Sequence, residues 1–212
     1  MTDAAGKPKE VERYSFTERL CHWITGLTYL YCLLTGLAFY TPYLYWLAIV
    51  LGGGATSRFF HPWIGLAFFA CQMWMHSLWN RDMSITAADR EWEEHVRDYA
   101  ENHDERVPKA GRFNAGQKLF YWVMYYGAIA LLITGLVMWF PELLPASLSW
   151  LRAIMIVIHA IAALVTIGGF IIHVYMGVFF IPGGLRGIVQ GHVPKSWAKA
   201  HHELWYDSLQ EK

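Results

Sequence analysis

Four stretches of this chain contain no Asp, Glu, Lys or Arg: residues 20–57, 59–80, 119–141 and 153–185. They hold 116 of the 212 residues, so every charged side chain falls in the remaining 96. The hydrocarbon core of a bilayer takes roughly 20 apolar residues per spanning helix, so each stretch is long enough to cross. This pattern excludes a soluble domain. It predicts an all-α membrane protein, a four-transmembrane-helix bundle with spans near 20–40, 60–80, 118–140 and 150–180. Pro62 is expected in the first turn of the second span, where its missing N–H costs nothing. Pro141 and Pro182 fall where the third and fourth spans should stop. Residues 41–51 are apolar but too short to span and run into Gly52-Gly53-Gly54, which reads as a short helix lying at the interface.

Orientation follows from the basic residues. With the N-terminus inside, 15 Lys and Arg lie on the cytoplasmic side, against Arg58 and Arg152 outside. The excess of positive charge belongs inside, so both termini are expected to be cytoplasmic and the chain a multi-pass protein of the cell inner membrane. The chain then divides into a cytoplasmic N-terminal segment (1–19), a transmembrane domain (20–185) with a cytoplasmic loop at about 81–117, and a cytoplasmic tail (186–212). Residues 89–106 of the loop mix both signs, as a solvated surface helix or a partner-docking surface would.

The bulk numbers add only exclusions. A net charge of zero gives no reason to expect nucleic acid. No secretory signal is expected, because about twenty polar residues precede the first apolar stretch. Cys21, Cys32 and Cys71 all lie in apolar windows without CxxC spacing, and read as small buried hydrophobes. The absence of CxxCH excludes covalent c-type haem.

Ten histidines include His22, His61, His76, His159 and His173 inside the apolar windows. An ionisable side chain at that depth is expensive and is a functional hypothesis by default. His159 and His173 are 14 residues apart, which is within about 40° of four full helical turns and about 21 Å along the axis. Helix four runs from outside to inside, so His159 lies near the outer surface and His173 near the inner one. The direction of helix one puts His22 at the depth of His173, and that of helix two puts His61 at the depth of His159. Two neutral imidazoles facing each other across a bundle are what bis-histidine ligation of a haem iron requires. Zinc would want three or four ligands, and no carboxylate joins either pair. The competing reading, for any single histidine, is a hydrogen bond to a neighbouring helix. Gly26, Gly36, Gly65, Gly135, Gly168 and Gly169 would let a flat macrocycle approach the backbones, or serve ordinary close packing of membrane helices. His76 lies about 22 Å further in than His61 and some 60° off its direction, and reads as an interfacial or interhelical residue more readily than as a ligand. His95, His103, His192, His201 and His202 lie in charged segments and are expected to be solvated.

Several stretches carry a resemblance: Glu18-Arg19 and His22-Trp23 with Thr35-Gly36-Leu37-Ala38-Phe39, then Arg58-Phe59-Phe60-His61-Pro62, then Gly111-Arg112-Phe113-Asn114-Ala115-Gly116-Gln117-Lys118. His159-Ala160, His173 and the tail from Gly191 to His202 add to it. On these the chain resembles the cytochrome b gamma subunit of membrane-bound respiratory formate dehydrogenases. The resemblance implies two haem b groups, the outer held by His61 and His159 and the inner by His22 and His173. It implies a quinone site beside the inner haem, formed by Asn114, Gly116, Gln117 and His173. It also implies partners: an iron-sulfur beta subunit, and a catalytic alpha subunit carrying molybdopterin or tungstopterin outside the membrane, in a complex that higher oligomers would suit. The chain's share would be electron transport across the lipid membrane and quinone reduction, as one subunit of an oxidoreductase complex, with formate oxidation left to the partner.

Other readings stand beside it. The cytochrome b subunit of a hydrogenase or a thiosulfate reductase would share this helix and histidine logic. A histidine-based membrane transporter would usually add acidic residues or broken helices at the midplane, and the four windows contain no acid. A plain structural anchor would leave the intramembrane histidines without a reason.

Overall fold

The computed structural model describes residues 9–101 and 106–211, the side chains of residues 100 and 143 excepted. Lys7, His103 and Lys212, which enter the charge and histidine readings, lie outside the described residues, as does 102–105 of the mixed-charge stretch. The elements run β1 (Glu10–Glu12), α1 (Phe16–Tyr40), α2 (Trp46–Val50), α3 (Gly54–Trp79), α4 (Ala87–Glu94), α5 (Val96–Ala100), α6 (Ala115–Trp139), α7 (Leu151–Val174), α8 (Gly184–Gln190), β2 (His192–Pro194), α9 (Lys195–His201) and α10 (Glu203–Ser208). Two compact units divide the chain. One, the helical unit, holds Leu20–Ser77 and Val123–Ile172; the other, the polar unit, holds Met1–Arg19, Leu78–Trp122 and His173–Lys212.

Among the described residues, three helices are long and apolar enough to cross a membrane by length and composition: Phe16–Tyr40, Ala115–Trp139 and Leu151–Phe180. The third of these continues α7 through a π-helical segment, Tyr175–Phe180, where Ile181 N–H donates to the Met176 carbonyl five residues back at 3.0 Å. α3 is the longest single helix, at 26 residues, but Arg58, His61, Pro62, Gln72 and His76 lower its apolar character. Its start differs from expectation. Gly52 and Gly53 take left-handed φ values of +95° and +97°, which only glycine adopts without strain, and α3 begins directly after them at Gly54. Pro62 therefore lies inside the helix, not in its first turn. The helix tolerates the lost backbone bond, as membrane helices do where neighbours re-satisfy the freed carbonyl. The short α2 carries exposed Trp46, Ile49 and Val50, an apolar face of the kind expected at an interface.

Burial in the helical unit runs opposite to that of a soluble core. Thr25, Thr35, Ser57, Gln72, Thr134 and Thr166 are all buried. Leu27, Ile133, Ile161, Val165 and Ile171 are exposed. Lipid tails are as apolar as leucine, so membrane helices pack through small and weakly polar residues and turn their aliphatic side chains outward. This is an integral membrane protein.

The four long helices of this unit pack as a ring. Tyr29 on α1 meets Phe68 on α3 and Phe170 on α7, with ring centroids 5.4 and 5.3 Å apart. Trp63 on α3 meets Trp139 on α6 at 5.0 Å. Gly127 on α6 and Thr166 on α7 approach so closely that a Cβ at Gly127 would lie 2.4 Å from Thr166 Cγ2. The order is α1, α3, α6, α7 and back to α1, which sets α3 and α7 at opposite corners.

The polar unit contains the two strands, a departure from an all-α fold. β1 pairs antiparallel with β2 in the register Glu10 with Pro194, Val11 with Val193 and Glu12 with His192. Val193 is fully buried. The pair ties the segment before α1 to the segment after α8, and Arg186 adds an ion pair to Glu10.

Candidate haem-binding site

The start of α3 after Gly52 and Gly53 sets His61 two turns into the helix, and the ring lies against α1. Its Nδ1 is 2.6 Å from Thr35 Oγ1. A Cβ on Gly36 would be 3.6 Å from its Cε1. The same construction recurs on the other side of the ring of helices. His159, nine residues into α7, places Nδ1 2.8 Å from Thr134 Oγ1 on α6, and a Cβ on Gly135 would be 3.5 Å from its Cε1. Both glycines keep the helix surface flat beside the imidazole, so a side chain larger than alanine there would displace the ring. His61 and His159 thus stand on opposite corners of the bundle, each clamped by a Thr-Gly step of the adjacent helix. Thr35 and Thr134 each contact an intramembrane histidine, and the histidine reading leaves them unused. The Leu-Thr-Gly-Leu and Ile-Thr-Gly-Leu steps at 34–37 and 133–136 occur a third time at 24–27, where Thr25 donates to the Cys21 carbonyl, so the step alone does not mark the pair.

The remaining intramembrane histidines divide between the units. In the helical unit, His22 meets Trp23 edge-on at 5.4 Å. His76 stacks on Tyr125 of α6 at 4.3 Å and 25°, an interhelical contact. In the polar unit, His173 stacks on Phe120 at 4.4 Å, nearly parallel at 6°. The π-helical segment begins two residues after it, and such segments recur at functional positions.

Asn114, Gly116 and Gln117 start α6 in the polar unit. Gln117 N–H donates to Asn114 Oδ1 at 2.9 Å, and Asn114 N–H donates to Gln117 Oε1 at 3.0 Å. This reciprocal cap uses the two side-chain oxygens and leaves both amide NH2 groups as donors. Gly116 faces Trp92, whose Cη2 would lie 3.4 Å from an added Cβ. Lys118 follows, buried, with Nζ 2.6 Å from Asp89 Oδ2 and 3.0 Å from the Ser84 carbonyl. Burial works against the Asp89 carboxylate, but bonds from Lys118 and Thr86 outweigh it and hold its pKa below the ordinary range. A cavity of about 130 Å³ lies here, lined by Thr86, Asp89, Trp92, Ala115 and Lys118 among others.

Arg112 is a second charged node of the polar unit. It pairs with Glu18 at 2.6 Å and Asp82 at 2.7 Å, while Trp79 Nε1 donates to the same Glu18 oxygen at 2.6 Å. His202 contradicts the solvated reading given to the tail histidines. It is 2 % exposed, with Nδ1 2.9 Å from the Gly111 carbonyl and Nε2 3.3 Å from Arg13 Nη2. The cysteines are all free. Among the described residues no cluster of three or more His, Cys, Asp or Glu could hold a bare metal ion.

Residues 13–191 match the family described as prokaryotic cytochrome b561. The chain belongs to that family. Relatives carry the likeness over almost the whole length. The chain is 30% identical over 205 residues to the nitrate-inducible formate dehydrogenase cytochrome b556(Fdn) subunit of Escherichia coli (strain K12), covering 97% of this chain and 94% of that one. It is 31% identical over 207 residues to the formate dehydrogenase cytochrome b556(fdo) subunit of the same strain, covering 95% and 94%. It is 32% identical over 198 residues to the formate dehydrogenase cytochrome b556 subunit of Haemophilus influenzae (strain ATCC 51907 / DSM 11121 / KW20 / Rd), covering 92% and 81%.

For a cytochrome b561 family member, b-type haem is the group to test against these residues. His61 and His159 fit it. They lie at opposite corners of one bundle, their Nδ1 atoms are engaged by threonines, and glycines flank both rings.

Proposed function

We propose that this chain is the dihaem cytochrome b subunit of a membrane-bound formate dehydrogenase, passing electrons inward across the membrane to quinone. The observation that carries the reading is the matched His61 and His159 construction on opposed helices, in a chain that aligns end to end with formate dehydrogenase cytochrome b556 subunits.

Four crossings are supported by the strand pair. β1 precedes α1 and β2 follows α7, so their pairing is in keeping with an even number of crossings between them, with α3 proposed as the fourth span. The charge pattern supports the orientation. By sequence position, every Lys and Arg except Arg58 and Arg152 belongs to the polar unit. The positive-inside rule assigns that unit to the cytoplasm, with both termini inside in the bacterial inner membrane.

His61 and His159 would hold the outer haem, and His22 and His173 the inner one. A bound b-type haem supplies reversible one-electron storage at iron. The chain's own contribution would be to hold the two ligand pairs at two depths, His159 and His173 being about 21 Å apart along α7. Quinone takes two electrons and two protons to give quinol. Asn114 and Gln117 hold amide donors for the quinone carbonyls at the start of α6, with Gly116 between them and His173 on the same unit. The polar, charge-lined surroundings of these residues suit proton entry from the cytoplasmic side. Electrons would come from an iron-sulfur subunit fed by a molybdopterin or tungstopterin catalytic subunit.

The test uses membranes containing the assembled complex. Formate should bring up the reduced b-type bands, and added quinone should reoxidise the haem. Asn114→Ala or Gln117→Ala should slow reoxidation by about tenfold with the haem content unchanged, a loss of roughly one hydrogen bond to the reacting carbonyl. Unchanged reoxidation in both variants would remove these residues from the quinone site.

A further inference from the structure

We propose that Thr35 and Thr134 are positioning residues that set the tautomer of His61 and His159, each accepting Nδ1–H so that Nε2 is presented as the iron ligand. The inference rests on the reading that these two histidines hold a haem. It adds what decides which ring nitrogen does so.

The argument is one of proton counting. A threonine hydroxyl has a single hydrogen. Thr35 Oγ1 donates it along its own helix, to the Tyr31 carbonyl at 2.8 Å with a longer contact to Cys32 at 3.2 Å. Thr134 does the same, to Ala130 at 2.6 Å with Leu131 at 3.3 Å. With that hydrogen committed, the oxygen faces the imidazole as an acceptor only. The contacts of 2.6 and 2.8 Å to Nδ1 then fit a protonated Nδ1, and at His159 the Leu131 carbonyl is a second acceptor for that hydrogen. The neutral ring then has its lone pair at Nε2. Thr35 is fully buried and Thr134 is 3 % exposed, so water does not compete for either bond. The opposite tautomer would need each hydroxyl to turn its one hydrogen to Nδ1 and give up its bond to the Tyr31 or Ala130 carbonyl.

The arrangement is duplicated on two helix pairs, α1 with α3 and α6 with α7, from residues far apart in the chain. Hydrogen bonding at the outer ring nitrogen also makes the ligating nitrogen more basic. A more basic pair favours ferric over ferrous iron, so the two hydroxyls hold the potential of this haem down.

The experiment is a redox titration of the purified protein, followed by optical spectra, on Thr35→Val, Thr134→Val, Thr35→Ser and Thr134→Ser, with His61→Ala and His159→Ala alongside. Each Val variant should retain both haems and shift one midpoint upward, by on the order of tenfold in the ferric-to-ferrous ratio at fixed ambient potential. Each Ser variant keeps the hydroxyl and should titrate as the parent does. Unshifted midpoints in the Val variants would overturn the proposal, as would equal shifts in Val and Ser, which would mark a packing effect. If a Val variant loses one haem, retention in the matching Ser variant supports the assignment and loss in both overturns it. The His→Ala variants separate the two levels of the account. Haem loss there with no hydroxyl effect sinks the tautomer role alone, whereas full haem retention sinks the ligation reading and this inference with it.

Discussion

His202 shows how a single side chain links pH to the packing of the polar unit. Burial, and then the Arg13 guanidinium 3.3 Å from Nε2, hold its pKa well below the ordinary histidine range. Arg13 can only donate, so Nε2 accepts and Nδ1–H donates to Gly111 at 2.9 Å, which is the neutral ring. The folded pKa is depressed, so the contribution is complete above about pH 6.5. It is lost as pH falls below that value, where the unfolded chain takes up a proton that the packed ring refuses. The thermal midpoint of the solubilised protein should therefore drop between about pH 7.5 and pH 5.5, and His202→Gln should flatten that slope while lowering the midpoint at pH 7.5. An unchanged slope would show that His202 is not the linked group. Its burial is not legible in a segment that also holds Lys195, Lys199 and His201. The partners that enclose it, Arg13 and Gly111, lie 189 and 91 residues away. The intramembrane histidines are legible for the converse reason, since an apolar stretch by itself makes each one costly. Their threonine partners were less so, because threonine in a membrane helix ordinarily bonds its own backbone.

At the level of the helix, three of the four long elements, counting the π-helical extension of α7, begin and end within about four residues of the spans expected at 20–40, 118–140 and 150–180. α3 does not. Its first turn is decided by the left-handed conformations of Gly52 and Gly53 rather than by hydropathy or by Pro62. The packing of α6 on α7 is set by one close approach. A methyl group at Gly127 would come within 2.4 Å of Thr166 Cγ2, and that side chain is buried and fixed by its bond to the Ala163 carbonyl at 2.9 Å. Gly127→Ala should thus cost about 1–3 kcal/mol, read as a lowered thermal midpoint. Thr166→Ser removes Cγ2 and keeps the hydroxyl, so the double variant should recover most of the loss. A Gly127→Ala protein as stable as the parent would mean that α6 and α7 can separate at no cost. The same two helices carry Thr134 and His159, so their spacing bears directly on the site.

Basic residues gather in the segments that form the polar unit, and the β1–β2 pair joins the two ends of the span-bearing region. Neither strand is visible in the sequence, because three residues carry no period that distinguishes a strand from a loop. The order of windows and the basic-residue pattern lead to an expected depth for each histidine, and that expectation sorts four of them into the two proposed ligand pairs. The central claim is that each pair holds its own haem. Its direct measurement is the haem-to-protein ratio of the purified parent and of His159→Ala, from reduced-minus-oxidised spectra of the b-type bands. The account predicts two haems per chain in the parent and one in His159→Ala, with the surviving haem still reducible. No b-type haem in the parent, or both haems retained in His159→Ala, would contradict it.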